Sequence, residues 1–109
     1  MMKAKGQGII EKLHGQHCKN GSYRRSFIIR YSESYTDKSG KIIFADMYQN
    51  VETFNEIARM VRAEFADGDE VYFMGDLKSR ETEYNTIHFV EITRLEDLVK
   101  LPEGREQQK

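Results

Sequence analysis

Aromatic and cationic side chains recur together along three stretches of this 109-residue chain, and they offer flat rings beside positive charge. YRRSFIIRYSESY carries Arg24, Arg25, Arg30 and Tyr35; KIIFADMYQ carries Phe44 and Tyr48; EVYFMGDLKSR carries Tyr72, Lys78 and Arg80; Tyr84 follows in a short loop. Rings stack on nucleobases and cations track a phosphate backbone, and each stacked base is worth about 1–3 kcal/mol. A few such aromatics can therefore dominate affinity for a single strand. These ten residues form the candidate binding set.

Other chemistry finds little support. His14, His17 and Cys18 are close together but lack the second half that paired metal motifs supply, so no metal site is expected. The carboxylates are scattered, and none is spaced against a His or Ser in a way that suggests acid–base or nucleophilic work. Gly6-Gln7-Gly8 and Asp67-Gly68-Asp69 are too short to cradle phosphates as nucleotide-binding loops do. The expectation is a binding protein rather than an enzyme, with no cofactor and no small-molecule substrate.

Positioning these residues falls to elements of two periods. Gly6–Leu13 reads as a first strand, and HGQHCKNGS as a loop with its turn at Asn20-Gly21. Tyr23–Tyr35 is a long strand whose Phe27 and Ile29 suit a core, leaving Arg25 or Ser26, Ile28 and Arg30 outward. TDKSGK makes a polar hairpin tip. Lys41–Gln49 returns as a third strand, with Phe44, Asp46 and Tyr48 on its outer face. From Asn50 the period becomes helical: Phe54, Ile57, Val61 and Phe65 line one stripe, with Asn50 as the expected cap and Gly68 at the reversal.

Val71, Phe73 and Leu77 then alternate inward against Tyr72, Met74, Asp76, Lys78 and Arg80 outward, and Thr86–Thr93 gives a fifth strand. The order β-β-β-α-β-β is that of a five-stranded Greek-key barrel with a helix between strands three and four, the OB-fold. The domain is expected to span residues 1–98, with residues 99–109 a mobile polar tail. Ile9, Ile10 and Leu13 look too apolar for an unpaired edge, which points to a dimer or tetramer.

The overall charge of −1 hides an asymmetry. Residues 1–41 hold nine Lys/Arg and three Asp/Glu, whereas residues 42–109 hold eight and fifteen. A basic face suited to polyanions is therefore compatible with a nearly neutral protein. No apolar run is long enough for a membrane span or a signal peptide, and the single Cys18 suits a reducing compartment, so a cytoplasmic protein is expected.

Three segments resemble the bacterial and phage single-stranded DNA-binding protein family. SFIIRYSESYTDKSGK is similar to that family's second strand and hairpin, FADMYQNVETFNEIA to its third strand running into the helix, and DGDEVYFMGDLKSRE to its fourth strand with a mid-strand glycine. Together they cover roughly residues 23–93. The resemblance implies an OB-fold, sequence-tolerant binding of single-stranded DNA, roles in replication, recombination or repair, and a homo-oligomer. It assigns stacking to Tyr35 and Phe44, and basic contacts to Lys78 and Arg80.

The chain departs from the family in having no tryptophan, in placing Asp46 where a basic residue is favoured, and in an outward Asp76. It also lacks the family's acidic, phenylalanine-tipped end, which suits an accessory, phage or mobile-element relative. The alternatives are an OB-fold module for protein–protein assembly, favoured by the two aspartates, and a binder of single-stranded RNA.

Overall fold

A computed structural model describes residues 2–102. Its elements are β1 (Lys3–His17), β2 (Tyr23–Thr36), β3 (Ile42–Phe54), α1 (Asn55–Glu64), β4 (Glu70–Glu81), β5 (Thr86–Glu91) and, after a 3-10 turn at Leu95–Asp97, β6 (Leu98–Lys100). The sheet runs β1-β2-β3-β5-β4, and β1 pairs back onto β4 to close the barrel. Only β3 and β5 are parallel, meeting at Val51–Val90 and Glu52–Glu91. The expected OB-fold is present, with its helix between β3 and β4.

Closure puts one face of every long strand inside. Ile10, Phe27, Ile29, Val51, Val71, Phe73 and Val90 meet there, and Val61 and Phe65 enter the same core from the helix end. The helical stripe thus plugs the barrel, with Ala58 also fully buried. Gly68 makes the reversal after α1 with φ +95, a conformation open to glycine without strain, and its N–H donates to the Ile10 carbonyl at 2.8 Å. Two inward glycines serve a different purpose. A Cβ on Gly8 would sit 2.5 Å from the Arg30 carbonyl oxygen, and one on Gly75 2.5 Å from that of Glu91. Both mark places where strands cross too closely for a side chain.

Several element boundaries differ from the sequence reading. β3 continues through Phe54, so Asn50 lies in a strand and caps nothing; its side-chain amide donates to the His88 carbonyl. The turn into α1 comes at Asn55, whose φ is +53 and whose Oδ1 accepts the Tyr23 N–H. β1 also runs on through His14–His17, paired with β2 after an irregularity between Glu11 and His14. It is no exposed edge: Ile9 pairs with Arg30 on one side and Glu70 on the other.

Leu77, expected inside, is 41% exposed because β4 has passed the barrel rim after Gly75. Asp76, expected outward, is buried, with the Lys3 ammonium 2.7 Å from its carboxylate. At the C-terminal end, Val99 and Lys100 belong to β6 and pair with Tyr72 and Val71, so the ordered chain passes the expected boundary at 98. Residues 103–109 of the expected tail lie outside the described residues.

Beyond Arg30 and Gln49 the paired strands β2 and β3 leave their neighbours. β1 accompanies β2 only as far as Arg30, and β5 touches β3 only at Val51 and Glu52, while β2–β3 pairing continues to Thr36–Ile42. The result is a two-stranded arm of about six residue pairs, roughly 20 Å long.

Asp37 ties the tip of the arm. Its Oδ1 accepts the Ser39 N–H at 2.9 Å, the Ser39 hydroxyl at 2.7 Å and the Lys41 N–H at 2.9 Å. The Ser39 hydroxyl bond, then the Lys41 amide, hold the Asp37 carboxyl below its ordinary value. A depressed folded pKa means that the tip is fully tied above the unfolded value of about 3.9 and is released as pH falls through the lower folded value. Amide ¹⁵N relaxation at Ser39 and Lys41 should stay unchanged on passing about pH 4 and report a more mobile tip only at lower pH, and Asp37→Ala should show that mobility at neutral pH. Unchanged relaxation in Asp37→Ala would show that the carboxylate does not order the turn.

Candidate nucleic-acid interface

Strand alternation and cross-strand register build one continuous face. Ser34 pairs with Phe44, Ser32 with Asp46, Arg30 with Tyr48, Ile28 with Asn50 and Ser26 with Glu52, so these side chains share a side of the β2–β3 pair. Phe44 is 74% exposed and Tyr48 60%, with Ile42 also open beyond Phe44. The rings need no partner within the fold, and Arg30 lies directly across from Tyr48. Asp46 stands between the two rings, its carboxylate accepting the Ser32 hydroxyl at 3.3 Å.

Toward the barrel the face deepens into a groove of about 310 Å³, lined among others by Lys12, His14, Arg24, Ser26, Glu52 and Arg80. At its centre Glu52, only 6% exposed, receives both terminal nitrogens of Arg80 at 3.0 and 2.7 Å. The Arg24 guanidinium lies 3.8 Å from the same carboxylate and donates to Gln16 Oε1. Arg80 also covers the buried Phe89 ring, 5.0 Å from its centroid. The planar fork of arginine suits this double duty, and a lysine in its place would not reproduce it.

Each of four cations on this face has a carboxylate partner. Arg30 Nε donates to Glu11, Lys78 to Glu91 at 2.7 Å, and Arg80 and Arg24 converge on Glu52. The side-chain hydrogen bond is the first cause that raises Arg30, Lys78 and Arg80 above their ordinary values, so all three stay charged across the working pH range. A phosphate arriving here must share or displace a carboxylate.

Glu52→Gln should cost about 1–3 kcal/mol in urea unfolding. That is below the figure for a fully buried pair, because Arg80 keeps contact with water. A loss under about 0.5 kcal/mol would mean that the pair is effectively solvated.

The face brings together Phe44, Tyr48, Arg24, Arg30, Lys78 and Arg80. The other predicted residues fall elsewhere. Arg25 is on the inward parity of β2, with its guanidinium 2.9 Å from the Tyr23 hydroxyl. Tyr35, paired with Ile43, projects from the opposite side of the arm to Phe44. Tyr72 pairs with Gln7 and Val99 on another wall of the barrel. Tyr84, 89% exposed, tips the Thr82–Asn85 turn beyond Arg80.

Sequence reasoning missed Lys12, His14 and Glu52 as groove residues. Lys12 falls inside the expected first strand and His14 in the expected loop, and only the β1 register with its irregularity brings the two to the groove. Among the described residues no three His, Cys, Asp or Glu side chains are grouped to hold a metal ion, and no helix is long and apolar enough to cross a membrane.

No family model matches the chain, and no curated protein matches it. Solved structures do. The chain is similar to the Plasmodium falciparum SSB in its complex with ssDNA, at 16% identity and a TM-score of 0.79, covering 94% of this chain and 96% of that one. A deletion mutant of the single-stranded DNA binding protein from Thermus aquaticus is similar at 18% identity and a TM-score of 0.78, covering 94% of this chain and 51% of the other. The wild-type Thermus aquaticus protein gives 17% identity and a TM-score of 0.74, covering 93% and 50%. The present chain therefore spans about half the length of the two Thermus proteins. At these identities the likeness establishes the fold.

Proposed function

We propose that this protein binds single-stranded DNA with little regard to sequence, along the face that runs from Phe44 through Tyr48 into the groove at Glu52 and Arg80. The observation that carries the reading is the pair of open rings, Phe44 and Tyr48, on the same face as Arg30, on an OB-fold similar to that of proteins whose names give single-stranded DNA as their ligand. Bases stack on the rings while the arginines and Lys78 follow the phosphates. Binding makes and breaks no bond; it shifts the melting equilibrium toward separated strands by mass action.

Membership of the bacterial and phage family, action in replication, recombination or repair, a homo-oligomeric state and a cytoplasmic location complete the proposal. Tyr35 and Tyr84 would then meet the strand as it wraps the arm or leaves the groove, Arg25 would stay on the Tyr23 hydroxyl off its path, and Tyr72 would face a second subunit.

Titration of labelled oligo-dT and of a matched duplex, at low and moderate salt, tests the reading. The single strand should win clearly, with log affinity falling against log salt at about −0.7 per neutralised phosphate. No binding at micromolar protein would overturn it. Protein–protein assembly, favoured by Asp46 and by the carboxylates that already occupy the cations, would then take its place.

A further inference from the structure

Lys12 occupies an unusual place. Where β1 changes register against β2, between Glu11 and His14, its backbone adopts φ +58. That region disfavours a residue with a side chain by about 1–2 kcal/mol, and glycine would sit there without cost. A bulge of this kind re-aims a side chain, and here it brings Lys12 to the groove shared by Arg24, Glu52 and Arg80. Lys12 has no ion-pair partner among the described residues, unlike the arginines around it. Counting these charges leaves three cations against one carboxylate, so the groove has positive charge that the fold does not use. Asn50, on the same groove, lies two residues along β3 from Tyr48, about 7 Å further on. A strand that leaves Tyr48 along β3 passes over it.

We propose that Lys12, held over the groove by this bulge, seats a backbone phosphate of the bound strand, with Glu52 keeping Arg24 and Arg80 in place beside it. The proposal rests on the single-strand reading and adds to it a contact that no outward strand position could supply. Strain kept at a binding position, rather than relieved by glycine, fits that role.

The experiment measures oligo-dT affinity at several salt concentrations, together with thermal stability, for wild type, Lys12→Gly and Lys12→Asn. Both replacements suit a positive φ and remove the charge. Loss of one phosphate contact should weaken binding about eightfold at 50 mM salt and lower the salt slope by about 0.7. Tm should stay constant in Lys12→Asn and hold or rise in Lys12→Gly.

Binding and stability therefore separate in a direction that a purely structural lysine would not give. Affinity within twofold of wild type with an unchanged slope overturns the seat while leaving the single-strand reading intact. So does a fall of Tm in both variants. Failure of wild type itself to bind oligo-dT removes the reading and the seat together.

Discussion

Replacing Phe44 and Tyr48 together by alanine is expected to weaken oligo-dT binding by about thirtyfold or more while the barrel stays folded. Two lost stacks at about 1–3 kcal/mol each account for the size of the effect. Both rings stand open on the arm, outside the core formed by Ile10, Ile29, Val51 and Val90, so their removal leaves no cavity. The single variants should each lose about five- to a hundredfold, with Phe44 the cleaner test because it is the more exposed. Tyr72→Ala serves as the comparison: its ring lies on the β1–β4–β6 wall, and where the assembly state is unchanged its loss should leave affinity within twofold of wild type. If the double variant binds within threefold of wild type with an unchanged unfolding curve, the stacking face has been placed wrongly.

Gly75→Val should have the largest effect on folding. The added side chain begins 2.5 Å from the Glu91 carbonyl oxygen and 2.6 Å from Val90 Cγ1, distances that real contacts do not tolerate. The oxygen belongs to backbone held by the Asp76–Glu91 pair, so it cannot yield without opening β4 from β5. Overpacking that flexible neighbours can absorb costs about 1–3 kcal/mol. Here the fixed neighbour puts the expected loss at about 3 kcal/mol or more, a large share of the roughly 5–15 kcal/mol that stabilises a domain. Gly75→Ala should give a smaller shift in the same direction. Gly68→Ala meets nothing within 4 Å, so only its positive φ should cost, about 1 kcal/mol. Equal urea midpoints for Gly75→Val and wild type would disprove the close crossing.

Much of the barrel is legible in the sequence because one-sided burial imposes a period. Phe27 and Ile29 alternate inward, Val61 and Phe65 recur at helical spacing, and both pairs reach the core. The start of the helix is harder to read because two periods overlap in NVETF. Val51 and Thr53 alternate as a strand, while Phe54 also begins the helical stripe. The strand prevails to Phe54 because Thr53 is buried and its hydroxyl donates to the Arg25 carbonyl.

The second half of β1 was hidden for another reason. His14, Gly15, Gln16 and His17 form a strand by pairing with β2, not by any apolar alternation of their own. Of the candidate face, Phe44, Tyr48 and Arg30 follow from parity. The meeting of Arg80 with Glu52, 28 residues earlier, depends on closure of the barrel and leaves no local trace.

The pairing of cations with carboxylates on the candidate face would also affect how fast a strand is found. At one Debye length, about 10 Å in 0.1 M salt, the Arg30–Glu11 and Lys78–Glu91 pairs act as small dipoles whose fields largely cancel. On the proposed reading, a strand approaching the arm would be drawn in weakly there, near the unsteered rate of about 10⁵–10⁶ M⁻¹s⁻¹, and only the uncompensated charge of the groove beyond would steer it. At the arm, ionic strength would then act mainly after contact, once phosphates compete with carboxylates at short range, and so would govern release. If the proposed reading holds, the arm would encounter DNA slowly and hold it by residence time.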